Sequence, residues 1–176
     1  LWKRPIPLWH TRFWPAKSGP ANIPRRLVAV GDVVFVTLAL DAPVTALDAA
    51  TGKTLRTFEG SEGTEEMVWS DGTLLCQVSD KPARNNDFRL KHTYTWANTS
   101  LVNDEYAWKG EMRRVAAFRA DSAELLWKKE YPVAPITLTA GGDHVYFYDG
   151  RRIVCLSRAT GQELWRSEEV GVAGPG

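Results

Sequence analysis

Paired cysteines are missing from this 176-residue chain, which has only Cys76 and Cys155. Each stands alone in an apolar run ("TLLCQVS" and "RIVCLS"), so no CxxC redox or zinc motif is present. Free buried thiols are the expectation at such positions, and only geometry decides whether they pair. Excess charge is missing too. The 22 basic and 21 acidic residues nearly cancel, which removes the field that nucleic-acid and anionic-membrane binders use. No apolar run approaches eighteen residues, so no membrane-spanning helix is expected. The opening "LWKRPIPLWH" has neither an initiator Met nor a signal-peptide pattern, and the chain is expected to be a fragment of a longer protein. His10, His92 and His144 lack ligand spacing such as HExxH. No GxSxG, P-loop or GxGxxG occurs, so hydrolase, nucleotide and dinucleotide chemistry have no motif to stand on. The basic pairs Arg25-Arg26, Arg113-Arg114 and Arg151-Arg152 each precede an apolar run and are expected to be solvated strand entrances.

What the chain has is repetition. "LDAATGKTL" at 47–55 returns as "LSRATGQEL" at 156–164. The echo extends over 27–60 and 136–168, each holding four short apolar runs, with Gly31-Asp32 or Gly142-Asp143 as the turn between the first two. A third copy is split: 65–80 supplies its first half, with Asp71-Gly72 as the turn, and 113–130 its second. The runs are short, alternate in polarity and favour Val, Leu, Phe and Tyr, as in Val33-Val34-Phe35-Val36. That pattern predicts strands. Tight turns make each copy a four-stranded antiparallel meander, and repetition near forty residues is the signature of a β-propeller blade. The expected fold is all-β, about three blades of an incomplete ring. The expected organisation is the end of a preceding blade plus an extended Pro/Trp-rich arm over 1–26, then a blade over 27–60. A blade over 65–130 follows, interrupted by an insertion at 81–112, then a blade over 136–168 and a linker at 169–176.

The run Ala46-Leu47-Asp48-Ala49-Ala50-Thr51-Gly52 resembles the A-x-D-x-x-T-G-x-x-x-W docking motif of pyrroloquinoline-quinone-like (PQQ-like) propeller repeats. That family includes quinoprotein dehydrogenases and the outer-membrane assembly lipoprotein of the BamB type. The resemblance implies that the motif's turn joins the third and fourth strands of a blade and that its Trp packs between blades. It marks Ala46, Asp48, Thr51, Gly52, Trp127, Gly161 and Trp165 as structural docking residues. The Trp position is held by Arg56, Trp127 and Trp165 in the three copies. The second copy has Arg119 and Ala123 in place of Asp and Gly, and the third has Ser157 in place of Asp. Leu1-Trp2-Lys3-Arg4 matches Leu126-Trp127-Lys128-Lys129, as the end of a further copy would. Larger rings are usual in the family, so the remaining blades of a bacterial parent chain are implied as the first partners, in a periplasmic or extracellular setting. The stretch 7–26 with "APVTALDAATG" also resembles propeller portions of large bacterial proteins that adjoin a methyltransferase domain. No methyltransferase motif lies within these residues.

The insertion is the least repetitive segment and adds Phe88, His92, Tyr94, Trp96, Tyr106 and Trp108. A loop between the second and third strands emerges at the same end as the connections between blades, beside the acidic run 59–66. Glu65, Glu66, His92, Tyr94, Trp96 and Trp108 are therefore candidate binding-face residues for a protein or small-ligand partner. The alternative is that the aromatics clamp a long loop to the ring. Trp9, His10, Phe13 and Trp14, among prolines, form either a covering arm or a stacking strip. In quinoproteins the family places PQQ between a Trp and a vicinal cysteine disulfide, with calcium on Glu, Asn and Asp. Here no cysteines are adjacent, and Glu65-Glu66 and Asn85-Asn86-Asp87 supply oxygen ligands by type only. Two readings stand: a noncatalytic scaffold with no catalytic, cofactor or metal residues of its own, or part of a PQQ- and calcium-dependent oxidoreductase whose cofactor residues lie in other blades.

Overall fold

The computed structural model describes residues 1–5, 25–39, 41–80 and 110–169. Their strands are β1 (Leu27–Val30), β2 (Val33–Thr37), β3 (Val44–Asp48), β4 (Thr54–Phe58), β5 (Thr64–Ser70) and β6 (Thr73–Val78). There follow β7 (Met112–Arg119), β8 (Leu125–Pro132), β9 (Thr139–Gly141), β10 (His144–Tyr148), β11 (Ile153–Ser157) and β12 (Glu163–Arg166). They form three four-stranded sheets in the orders β1-β2-β3-β4, β5-β6-β7-β8 and β9-β10-β11-β12, every pairing antiparallel. These are three blades of an incomplete β-propeller.

Alternation along the middle blade explains the stacking. Leu74, Cys76 and Val78 of β6, with Ala116 and Phe118 of β7, turn one way and pack on Phe35, Val44, Ala46 and Phe58 of the first blade. Leu75, Val115 and Ala117 turn the other way and meet Leu138, Val145, Phe147, Val154 and Leu156 of the third. A strand covered on both faces reads as a continuous apolar run, and β6 is buried throughout. The first strands of the blades lie side by side, β1 against β5 and β5 against β9.

The turn between the third and fourth strands is built alike in all three blades, although its side chains differ. Ala49, Ala120 and Arg158 each donate a backbone N–H to the β-hairpin turn of their own blade, at Asp32 O, Gly72 O and Asp143 O (2.9, 2.8 and 2.8 Å). Gly52, Ala123 and Gly161 donate to Asp48 O, Arg119 O and Ser157 O (2.8, 2.9 and 2.8 Å). All three residues have positive φ, +72°, +62° and +67°. Register shifts recur just ahead of the turns, at Ala46/Leu47, Ala117/Phe118 and Cys155/Leu156. The backbone thus carries the repeat where the side chains have drifted.

Both cysteines are free and buried. Among the basic pairs, Arg26, Arg113 and Arg114 need correction, whereas Arg151 is exposed and the Arg25 and Arg152 side chains stay 46% and 43% exposed. Arg26 is only 5% exposed, Arg25 is bonded to a buried carboxylate, and Arg113 and Arg114 pair with Glu65 and Asp80. These arginines were expected in solvent because the carboxylates that draw them in, Glu65 and Glu66 on β5 and Asp41 and Asp80 in loops, lie far from them along the chain. Among the described residues no helix is long and apolar enough to cross a membrane.

Candidate functional site

The two ends of the blades are made differently. At the hairpin-turn end the docking residues join one blade to the next. Asp48 Oδ1 accepts from both the backbone N–H and the hydroxyl of Thr51 (2.7 Å each), which holds its pKa below the usual aspartate value. Gly52 lies under the Trp2 indole, whose N–H donates to Ala49 O (2.8 Å). Gly161 lies under Trp127, whose N–H donates to Arg158 O (2.7 Å). Ala46 is fully buried in the core shared by the first two blades. Arg158 adds a tie of its own, donating to Ser70 O (2.8 Å) and pairing with Asp71 (3.1 Å).

Trp165 occupies the same strand position in the third blade, yet it is 46% exposed. It shares an outward face with Tyr146 and Cys155, its ring 6.0 Å from Tyr146, which stacks in turn on His144 at 5.9 Å. The sequence motif cannot distinguish Trp127 from Trp165, because burial depends on whether a blade sits against the face.

The opposite end gathers its charges around a cavity. A cavity of about 240 Å³ is lined by Asp41, Glu62, Gly63, Ser79, Asp80 and Arg114. These residues come from the loops after β2, β4 and β6 and from β7, so the acidic run and the root of the insertion do meet. Arg114 pairs with Asp80 at 2.8 Å, and Arg113 with Glu65 at 2.8 Å. Burial lowers the pKa of Arg26, with Glu65 and Asp41 acting against it. Glu65 is thus engaged within the protein. His92, Tyr94, Trp96 and Trp108, with the rest of the insertion aromatics and Trp9, His10, Phe13 and Trp14, lie outside the described residues.

Glu66 is turned inward, 2% exposed. Its carboxylate accepts from Arg25 and from the Leu138 N–H (3.3 Å), while Arg25 also reaches Leu138 O (3.2 Å). Arg25 precedes β1, Glu66 is in β5 and Leu138 precedes β9, so one carboxylate pins the inner edges of three blades together. Burial still raises its pKa above the usual glutamate value, against the pull of Arg25. Sequence reasoning missed the trio Arg25, Glu66 and Leu138. Its one signal was a glutamate at an inward position of an alternating strand. Burial pushes the Cys76 thiol up to about 12, which leaves it protonated and unreactive. Among the described residues no three His, Cys, Asp or Glu side chains are grouped to hold a metal ion.

Residues 111–174, less than half of the chain, match the family model described as outer membrane protein assembly factor BamB. No curated protein matches the chain. Among solved structures, it is similar to the computationally designed proteins Ika8 and Ika4. For Ika8 the TM-score is 0.56 at 15% identity, covering 84% of this chain and 37% of that one. For Ika4 the TM-score is 0.56 at 14% identity, covering 88% and 78%. The quinohemoprotein alcohol dehydrogenase of Comamonas testosteroni is similar with a TM-score of 0.53 at 17% identity, over 83% of this chain and 27% of that one. At such identities the likeness is one of fold.

Proposed function

We propose that this chain, a set of propeller blades of which residues 111–174 match the BamB family model, is a noncatalytic scaffold segment of PQQ-like repeats that presents its loop end to a protein or small-ligand partner. One observation carries the reading: the carboxylates best placed for chemistry are engaged in holding strands and blades together. Glu66 is bound by Arg25 and the Leu138 N–H, and Glu65 by Arg113. A catalytic carboxylate must be free to take or give a proton at a substrate atom. The cavity at the loop end brings Asp41, Glu62 and Asp80 together with Arg114, which pairs with Asp80. A partner recognised there would bring basic groups. The name of the BamB family model, an assembly factor, agrees with a binding role.

The alternative is an oxidoreductase whose PQQ and calcium are held mainly by other blades. Calorimetric titration of PQQ with calcium into the full-length protein, with this 176-residue chain as the control, tests both. No saturable heat is expected, and stoichiometric binding would overturn the scaffold reading.

A further inference from the structure

The joints between blades are of two kinds. Three side chains reach across to the equivalent turn carbonyl of a neighbouring blade, Arg56 and Trp127 from the equivalent fourth-strand position and Trp2 from the segment ahead of β1: Trp2 to Ala49 O (2.8 Å), Arg56 to Ala120 O (2.9 Å) and Trp127 to Arg158 O (2.7 Å). The hydrogen bond is kept although the residue changes. The turn changes with it. Where the donor is Trp, the positive-φ residue beneath is Gly52 or Gly161, and where it is Arg, that residue is Ala123.

Space accounts for the pairing. A methyl carbon on Gly52 would lie 2.5 Å from the Trp2 ring, and one on Gly161 would lie 2.6 Å from the Trp127 ring. Both distances are far inside van der Waals contact, and the wide, rigid indole cannot yield. Ala123 already carries that methyl at nearly the same φ and packs against the shared core. An arginine stem is narrow and can bend past a methyl group while its guanidinium still supplies the donor. The Arg56 joint is therefore a second type of joint, with both halves altered together, and not a worn copy of the first.

We propose that the fourth-strand residue and the facing turn residue form a matched pair that sets which blade can follow which, tryptophan with glycine and arginine with alanine. Trp127 cannot settle on the Ala123 turn, and Arg56 on a glycine turn leaves the space of an indole unfilled. The pairing fixes blade order during folding, when three similar sheets compete for the same faces. It also gives the exposed face around Trp165 a specificity. That face fits a four-stranded blade with glycine at its turn and rejects one with alanine.

Two double-mutant cycles, read as urea midpoints, test the pairing. Arg56→Trp alone should lower the midpoint, and Arg56→Trp with Ala123→Gly should return it to the starting value or above. Gly161→Ala should lower the midpoint in the Trp127 chain by much more than in the Trp127→Arg chain. If Gly161→Ala prevents folding, the Arg56 and Ala123 cycle decides alone, since each of its variants keeps both tryptophan joints. Strictly additive shifts, with Arg56→Trp equally damaging over Ala123 and over Gly, would overturn the proposal.

Discussion

A tryptophan in this fold is worth what covers it. Trp127 is 8% exposed and hydrogen-bonded across a blade joint, whereas Trp165 is 46% exposed. Trp127→Ala should therefore cost about 3–5 kcal/mol, and Trp165→Ala clearly less, read from urea unfolding of each variant. Equal losses would mean that the two sites are buried alike. Two carboxylates give opposite pH signatures. The Thr51 bonds depress the pKa of Asp48, so its contribution is present above the unfolded value and is lost as pH falls through the folded one. Burial raises the pKa of Glu66, so its contribution is full below the unfolded value of about 4.5 and fades as pH rises through the folded pKa. Glu66→Gln should remove that fade. Urea midpoints followed upward from about pH 4.5 should fall in the parent chain relative to the variant, and a relative rise would contradict the burial of Glu66.

At the scale of the element, the joint between the first two blades hinges on Phe58. Its ring stands edge-on to Phe35 at 5.8 Å and to Phe118 at 5.7 Å, the latter across the blade boundary. Such pairs contribute about 0.5–1.5 kcal/mol beyond the area they bury. A cycle of Phe58→Leu and Phe118→Leu should show coupling of that order, and independent losses would mean that the rings do not meet. Strands were legible because alternation and tight turns are local properties. Asp71-Gly72, for instance, takes the two positive φ values of a type I′ turn, 42° and 76°. The Arg56 joint was hidden because an arginine does not look like a tryptophan, and only geometry shows that both donate to one carbonyl. The Arg25–Glu66 pair was hidden because its members meet through the pairing of whole blades.

For the whole molecule, repetition was the most legible feature and the loop end the least. The Thr-Gly echo gives blades, but the charges around Asp41, Glu62 and Asp80 converge from three separate loops, and no spacing in the chain announces that. The account makes one claim above the others: apart from the Arg25 contact with Leu138, blades are held by joints to their immediate neighbours, as in other repeat architectures. Native-state hydrogen exchange of the parent chain and of Trp127→Ala tests it most directly. Amides of β10 and β11 should lose protection in the variant while those of β2 and β3 keep theirs, because the third blade alone is released. An equal loss of protection in all three blades would contradict joint-by-joint docking, and so would no loss at all.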